Sequence, residues 1–156
     1  MSIAPVIHTV RVALAPERAF AVFVEGIGEW WKKGKTLGEP HAAIVIEPQA
    51  GGRWFERDAE GTEIDWGKVI DWSPPHRLLL GWQLDAKFRY DPNFLTEVEL
   101  SFVPDGDGTL VTLEHRDLER FGSDAPTVRE NIGGCEGWPF HIEAYANYAN
   151  SKESAQ

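Results

Sequence analysis

The sequence predicts an α+β domain in which a curved antiparallel sheet of six to seven strands wraps one long C-terminal helix, with two short helices after the first strand. Three observations carry this. An alternating segment rich in β-branched residues opens the chain, strand-like segments separated by Gly, Pro and Asp clusters fill the middle from about residue 42, and an amphipathic stretch closes it. No strand–helix alternation, which a parallel sheet would need, interrupts the middle run. At 156 residues, one domain over 1–150 with a frayed tail at 151–156 is the expected organisation.

The elements follow in order. "IHTVRVAL", Ile7 to Leu14, alternates apolar and polar positions and reads as a strand with one buried face. Pro16 ends it and suits the first turn of a helix, whose Phe20, Phe23, Val24 and Ile27 gather on one side. Gly26 and Gly28 interrupt that helix, and Trp30 and Trp31 fall in a short second helix or turn. Six further strand candidates are "AAIVIEP", "GGRWFERD", "TEIDWGKVIDW", "HRLLLGWQL", "LTEVELSFV" and "TLVTLEHRDL". Between the last two, "PDGDGT" is a hairpin turn in which Gly106 and Gly108 are free to take positive φ. "WPFHIEAYANYAN" places Trp138, Ile142, Tyr145 and Ala149 on one helical stripe. Because Gly133, Gly134 and Gly137 weaken a helix interior, the main helix is expected to start near Glu136, with only a short helical piece upstream.

Composition narrows the function classes. The 42% hydrophobic and 26% charged content, with seven tryptophans, belongs to a folding chain. A net charge of -10 opposes a polyphosphate backbone, so no nucleic-acid partner is expected. No run of 18 apolar residues and no leader-like N-terminus occurs, so no membrane partner is expected either. The lone Cys135 excludes an internal disulfide and a cysteine-rich zinc site, and it fits a reducing, cytoplasmic location. Asp105 and Asp107 lack the spaced ligands of a calcium loop, and the five histidines show no HExxH pairing, so no metal or other cofactor is expected.

Several words, taken together, resemble the helix-grip superfamily of START domains, polyketide cyclases and the birch-pollen allergen, in the branch named after the activator of the heat shock protein 90 ATPase. They are "ERAFAVFVEGIGEWW", "EPQAGGRWFER", "WGKVIDWSPPHRLLLGWQ", "TEVELSF" with "VTLEHRDLERFG", and "GGCEGWPFHIEAY", which span nearly the whole chain. The resemblance implies a cavity between sheet and last helix. It leaves the activity open, since this fold hosts binders, carriers and enzymes.

Side-chain alternation then nominates a lining. Val98, Leu100 and Phe102 face Val111, Leu113 and His115 across the hairpin, which sets His115 among aliphatics. It is either a core histidine with ordinary hydrogen bonds or a polar group able to orient or protonate a ligand, and it is the first suspect for catalysis. Leu78, Leu80, Trp82 and Leu84 share an inward face. In "DWGKVIDW" either Trp66, Ile70 and Trp72 or Gly67 and Val69 point inward, with the resemblance favouring the small pair; in "GGRWFERD" Phe55 competes with Trp54, and Glu56 would be a rare buried carboxylate.

"GIGEWWKKGK" raises the remaining question. Burying one indole removes about 200 Å² from water, on the order of 3 to 5 kcal/mol, so at least one of Trp30 and Trp31 is expected inside. The stretch is too short for a membrane-surface helix. Lys32, Lys33 and Lys35 either form a positive rim for the carboxylate or phosphate of an apolar ligand or belong to a solvated loop. The expected lining is Trp30, Trp31, Phe55, Trp82, Phe94, Phe102, His115, Trp138 and Tyr145, holding a small hydrophobic or amphipathic molecule. A chaperone partner, a homodimer and a cyclase- or hydrolase-like activity in the same cavity are the alternatives.

Overall fold

The computed structural model describes residues 3–31, 43–134 and 137–153. Seven strands form one antiparallel sheet: β1 (Val6–Val12), β2 (Ala43–Ile46), β3 (Arg53–Arg57), β4 (Glu63–Ser73), β5 (Arg77–Trp82), β6 (Thr96–Asp105) and β7 (Gly108–Arg116). Their spatial order is β1-β7-β6-β5-β4-β3-β2, so every neighbour after β2 is also a sequence neighbour except where β1 joins β7. Helices α1 (Pro16–Glu25) and α2 (Ile27–Trp30) fill the connection from β1 to β2. After β7 come a 3-10 helix (Leu118–Asp124), α3 (Ala125–Gly133) and α4 (Trp138–Glu153).

The strands form where alternation demands them. Val98, Leu100 and Phe102 on β6 and Val111, Leu113 and His115 on β7 are all at most 1% exposed, because residues two apart share a face of the pleat. In the turn between them Gly106, at φ 61°, supplies the left-handed conformation that a two-residue hairpin needs, whereas Gly108 does not adopt positive φ. Asp117, also left-handed at φ 66°, ends β7 and starts the 3-10 turn, so the strand stops short of Leu118. The upstream helical piece is longer than its glycines suggest. Pro126 sits in the first turn of α3, and Gly133 marks its end rather than its interior.

β4 resolves the ambiguity of "DWGKVIDW" by taking part of each alternative. The register steps from Phe55↔Asp65 to Trp54↔Gly67, and again from Val69↔Leu80 to Asp71↔Leu79, which skips Trp66 and Ile70. Each skipped residue is a bulge, and a bulge lets adjacent residues depart from strict alternation. Trp66, Gly67 and Val69 are therefore all buried, while Trp72 is half-buried against Phe20.

α4 covers the concave face and ties to the other layers by specific bonds. Ile142, Tyr145 and Ala149 are fully buried along one stripe, as the spacing predicts. Tyr145 Oη donates to the Ala19 carbonyl at 2.8 Å, and Asn150 Oδ1 accepts from Ala13 N at 2.8 Å. Burial raises the Tyr145 phenol above its ordinary pKa, which keeps it a neutral donor.

Candidate functional site: a ring of indoles beneath the last helix

Both tandem indoles are inside. Trp30, 4% exposed, donates its Nε1–H to the Phe23 carbonyl at 3.1 Å and packs on Phe23 and Tyr145. Trp31, 6% exposed, follows α2 with extended backbone and packs its ring on that of Trp30, 5.8 Å between centroids. Its ring lies parallel to His141 on α4, 4.0 Å between centroids.

From Trp31 the aromatic contacts close into a cycle. Trp31 meets Trp66 at 5.1 Å, Trp66 meets Trp54 at 5.5 Å, Trp54 meets Trp82 at 5.8 Å, Trp82 meets Trp138 at 5.7 Å, and Trp138 returns to Trp31 at 5.8 Å. Interplanar angles of 55° to 84° make these edge-to-face and tilted pairs, the arrangement favoured by the ring quadrupole. Three strands and α4 supply four members, and the turn after α2 supplies the fifth.

The polar groups bordering this ring differ in their commitments. His115 Nδ1 accepts from Trp138 Nε1 at 3.0 Å. An indole nitrogen only donates, so the neutral imidazole carries its proton on Nε2, which donates to Thr96 Oγ1 at 2.8 Å. Complete burial pushes the imidazole down to a pKa of about 3. His115 is thus neutral with both nitrogens engaged, the arrangement of a core histidine. Glu56, 1% exposed, is the buried carboxylate: its Oε1 accepts from Trp66 Nε1 at 2.8 Å. Trp54 Nε1 is buried and has no hydrogen-bond partner among the described residues. Leaving such a donor unsatisfied costs about 1 to 3 kcal/mol.

The remaining expected lining residues fall elsewhere. Phe55 stands on the outer face, because Trp54 and Glu56 take the inner one; the Arg53 guanidinium lies 4.0 Å from its ring centroid, and Arg57 covers its other side at 5.3 Å. Phe94 is half-buried on Phe121, 4.9 Å between centroids, under the 3-10 helix. Phe102 and Tyr145 belong to the neighbouring cluster around Phe20, Phe23 and Trp30. Lys32, Lys33 and Lys35 lie outside the described residues, as does Cys135.

Trp54, Trp66, Glu56 and His141 were not nominated from sequence. Trp54 and Glu56 had a usable signal: Arg53 and Arg57 flank Phe55 at two-residue spacing, which marks that parity as the solvent face. His141 follows Trp138 by three residues and so shares its helical face. Trp66 belonged to one of the two inward sets that alternation left open, since bulges do not announce themselves.

Among the described residues, two grooves flank α1. The larger, about 600 Å³, is lined by Phe20, Val24, Ile44, Ile46 and Trp72, with Glu17 and Glu25 on its edge. The described residues contain no group of three His, Cys, Asp or Glu arranged to hold a metal ion, and no helix long and apolar enough to cross a membrane.

A seven-stranded sheet gripping a long C-terminal helix, with aromatic rings packed between them, defines a helix-grip domain. Within that class the chain belongs to the family of activator of Hsp90 ATPase homolog 1-like proteins, whose model matches residues 13–146. An anthrahydroquino-γ-pyrone synthase, determined in complex with SUM, is 36% identical over 94% of this chain and 97% of its own, with a TM-score of 0.65. CalC, a self-sacrificing resistance protein from Micromonospora echinospora, is 29% identical over 96% of each chain, with a TM-score of 0.68. The Aha1 dimer from Colwellia psychrerythraea shares the fold alone, at 14% identity over 95% of this chain and 97% of that one and a TM-score of 0.62. No curated protein matches the chain.

Proposed function

We propose that the protein binds a flat, conjugated small molecule against the indole ring between the sheet and α4. The observation that carries this reading is the closed cycle of five buried tryptophans. A hydrophobic core is filled as well by aliphatic side chains, whereas five indoles present polarisable faces and edges suited to stacking an aromatic guest. The 36%-identical relative is named for making an anthrahydroquinone-type product, a planar fused-ring molecule, which agrees with such a site.

Calorimetric titration with anthraquinone-2-sulfonate and with anthracene-2-sulfonate tests the reading. Saturable binding of at least one of them near one equivalent is expected, weakened about tenfold or more by Trp31→Ala or Trp138→Ala. Absence of saturable binding by both overturns it.

If the same site also turns a ligand over, the proton-transfer groups on its border are Glu56 and His141 rather than His115. Conversion surviving Glu56→Gln and His141→Phe together would remove both from that role. A second reading, interaction with a chaperone, rests on the family match. It predicts that the purified protein raises the ATPase rate of an Hsp90, and an unchanged rate with no detectable complex counts against it. The Aha1 neighbour was determined as a dimer, so sedimentation of this chain is the matching test for self-association.

A further inference from the structure

Trp54 Nε1 sets a chemical requirement on the guest. The indole is 1% exposed, its N–H is buried with no acceptor among the described residues, and its ring is held in the cycle by Trp66 on one side and Trp82 on the other. Two other donors of the cycle are already committed, Trp66 Nε1 to Glu56 and Trp138 Nε1 to His115. A buried donor without an acceptor is rare in native proteins, and at a ligand site its natural partner is an acceptor atom on the ligand.

The acceptor is also constrained in charge. An anionic oxygen at Trp54 would be stripped of water amid apolar rings. That desolvation disfavours it. A neutral carbonyl escapes the penalty and accepts well.

Resting on the binding reading above, we infer that Trp54 Nε1–H donates to a ketone or quinone carbonyl of the bound molecule, so that the site selects oxygenated polycyclic rings over the parent hydrocarbons. The indole wall supplies affinity for any flat ring, and the Trp54 N–H supplies the discrimination.

The two sulfonates named above differ in the two ring carbonyls and share the fused three-ring skeleton, so they separate these contributions. The quinone is expected to bind about tenfold more tightly than the hydrocarbon to the wild type, and Trp54→Phe, which keeps a ring but removes the N–H, is expected to abolish the preference. Indole ¹⁵N–¹H spectra of the wild type give a readout that does not depend on the variant folding: the assigned Trp54 Nε1–H resonance should move downfield with the quinone and not with the hydrocarbon. Equal affinity for the two probes with the Trp54 resonance at the same position in both complexes would overturn the carbonyl assignment and leave the stacking site standing. Failure of both probes to bind would overturn the two readings together.

Discussion

At the scale of single residues, His115 shows how burial and hydrogen bonding decide between chemistry and architecture. Its imidazole is fully buried and neutral, with a folded-state pKa of about 3 against an ordinary value of 6.5. The unfolded chain therefore binds a proton below pH 6.5 that the folded chain refuses. Stability from this group is complete above pH 6.5 and is lost progressively as pH falls toward 3, with a slope approaching about 1.4 kcal/mol per pH unit. Urea unfolding at pH 7, 6 and 5 should show that decline in the wild type and a flatter profile in His115→Gln; identical slopes would refute the assignment. Tyr145→Phe tests a second buried contact. It deletes the bond to the Ala19 carbonyl, which keeps its partner in the α1 ladder, and should cost about 1 kcal/mol in the same assay.

At the scale of elements, the inner wall depends on the two bulges of β4. The first, at Trp66, leaves Trp66 and Gly67 both buried although they are adjacent on one strand, so that an indole enters the ring. An added Cβ on Gly67 would fall onto the Gly81 carbonyl oxygen of the neighbouring strand, a rigid backbone atom that cannot yield. Gly67→Ala should therefore destabilise by about 3 kcal/mol or more. Gly28→Ala is the control, because its Cβ would meet the Ile44 backbone at 3.4 Å, an ordinary contact. Its unfolding midpoint should stay close to that of the wild type. The strands themselves were legible, since alternation is a property of sequence. The bulges were not, because a register step depends on which residues the partner strands offer.

At the scale of the whole molecule, the two faces of the sheet divide the work. The inner face carries aromatic and aliphatic side chains, and the outer face carries ion pairs that run across strands. Glu99 on β6 takes Arg116 of β7 at 2.6 Å and Arg77 of β5 on its other side, while Arg53 pairs with Asp65 at 2.7 Å. Arg116 first, then Arg77, holds the Glu99 carboxyl below its ordinary range. A carboxyl with a depressed pKa contributes stability that is present above the unfolded value of 4.5 and disappears as pH falls through the folded one. Acid unfolding should thus have two regimes, a shallow histidine-linked decline below pH 6.5 and a steeper carboxylate-linked one below pH 4.5. Glu99→Gln should soften the second and leave the first.

The sequence by itself determined the order of elements, the inner faces of β5, β6 and β7, the burying stripe of α4 and the family, because periodicity and turn chemistry are local and repeat along the chain. Only the tertiary structure decided that Trp54 rather than Phe55 enters the interior, that Trp66 joins it through a bulge, that His115 has both nitrogens engaged, and that five indoles close on one another. Those outcomes depend on distances between residues far apart in the chain. Alternation assigns a side chain to a face, whereas the partner it meets there is set by strand register and by the helix laid across the sheet.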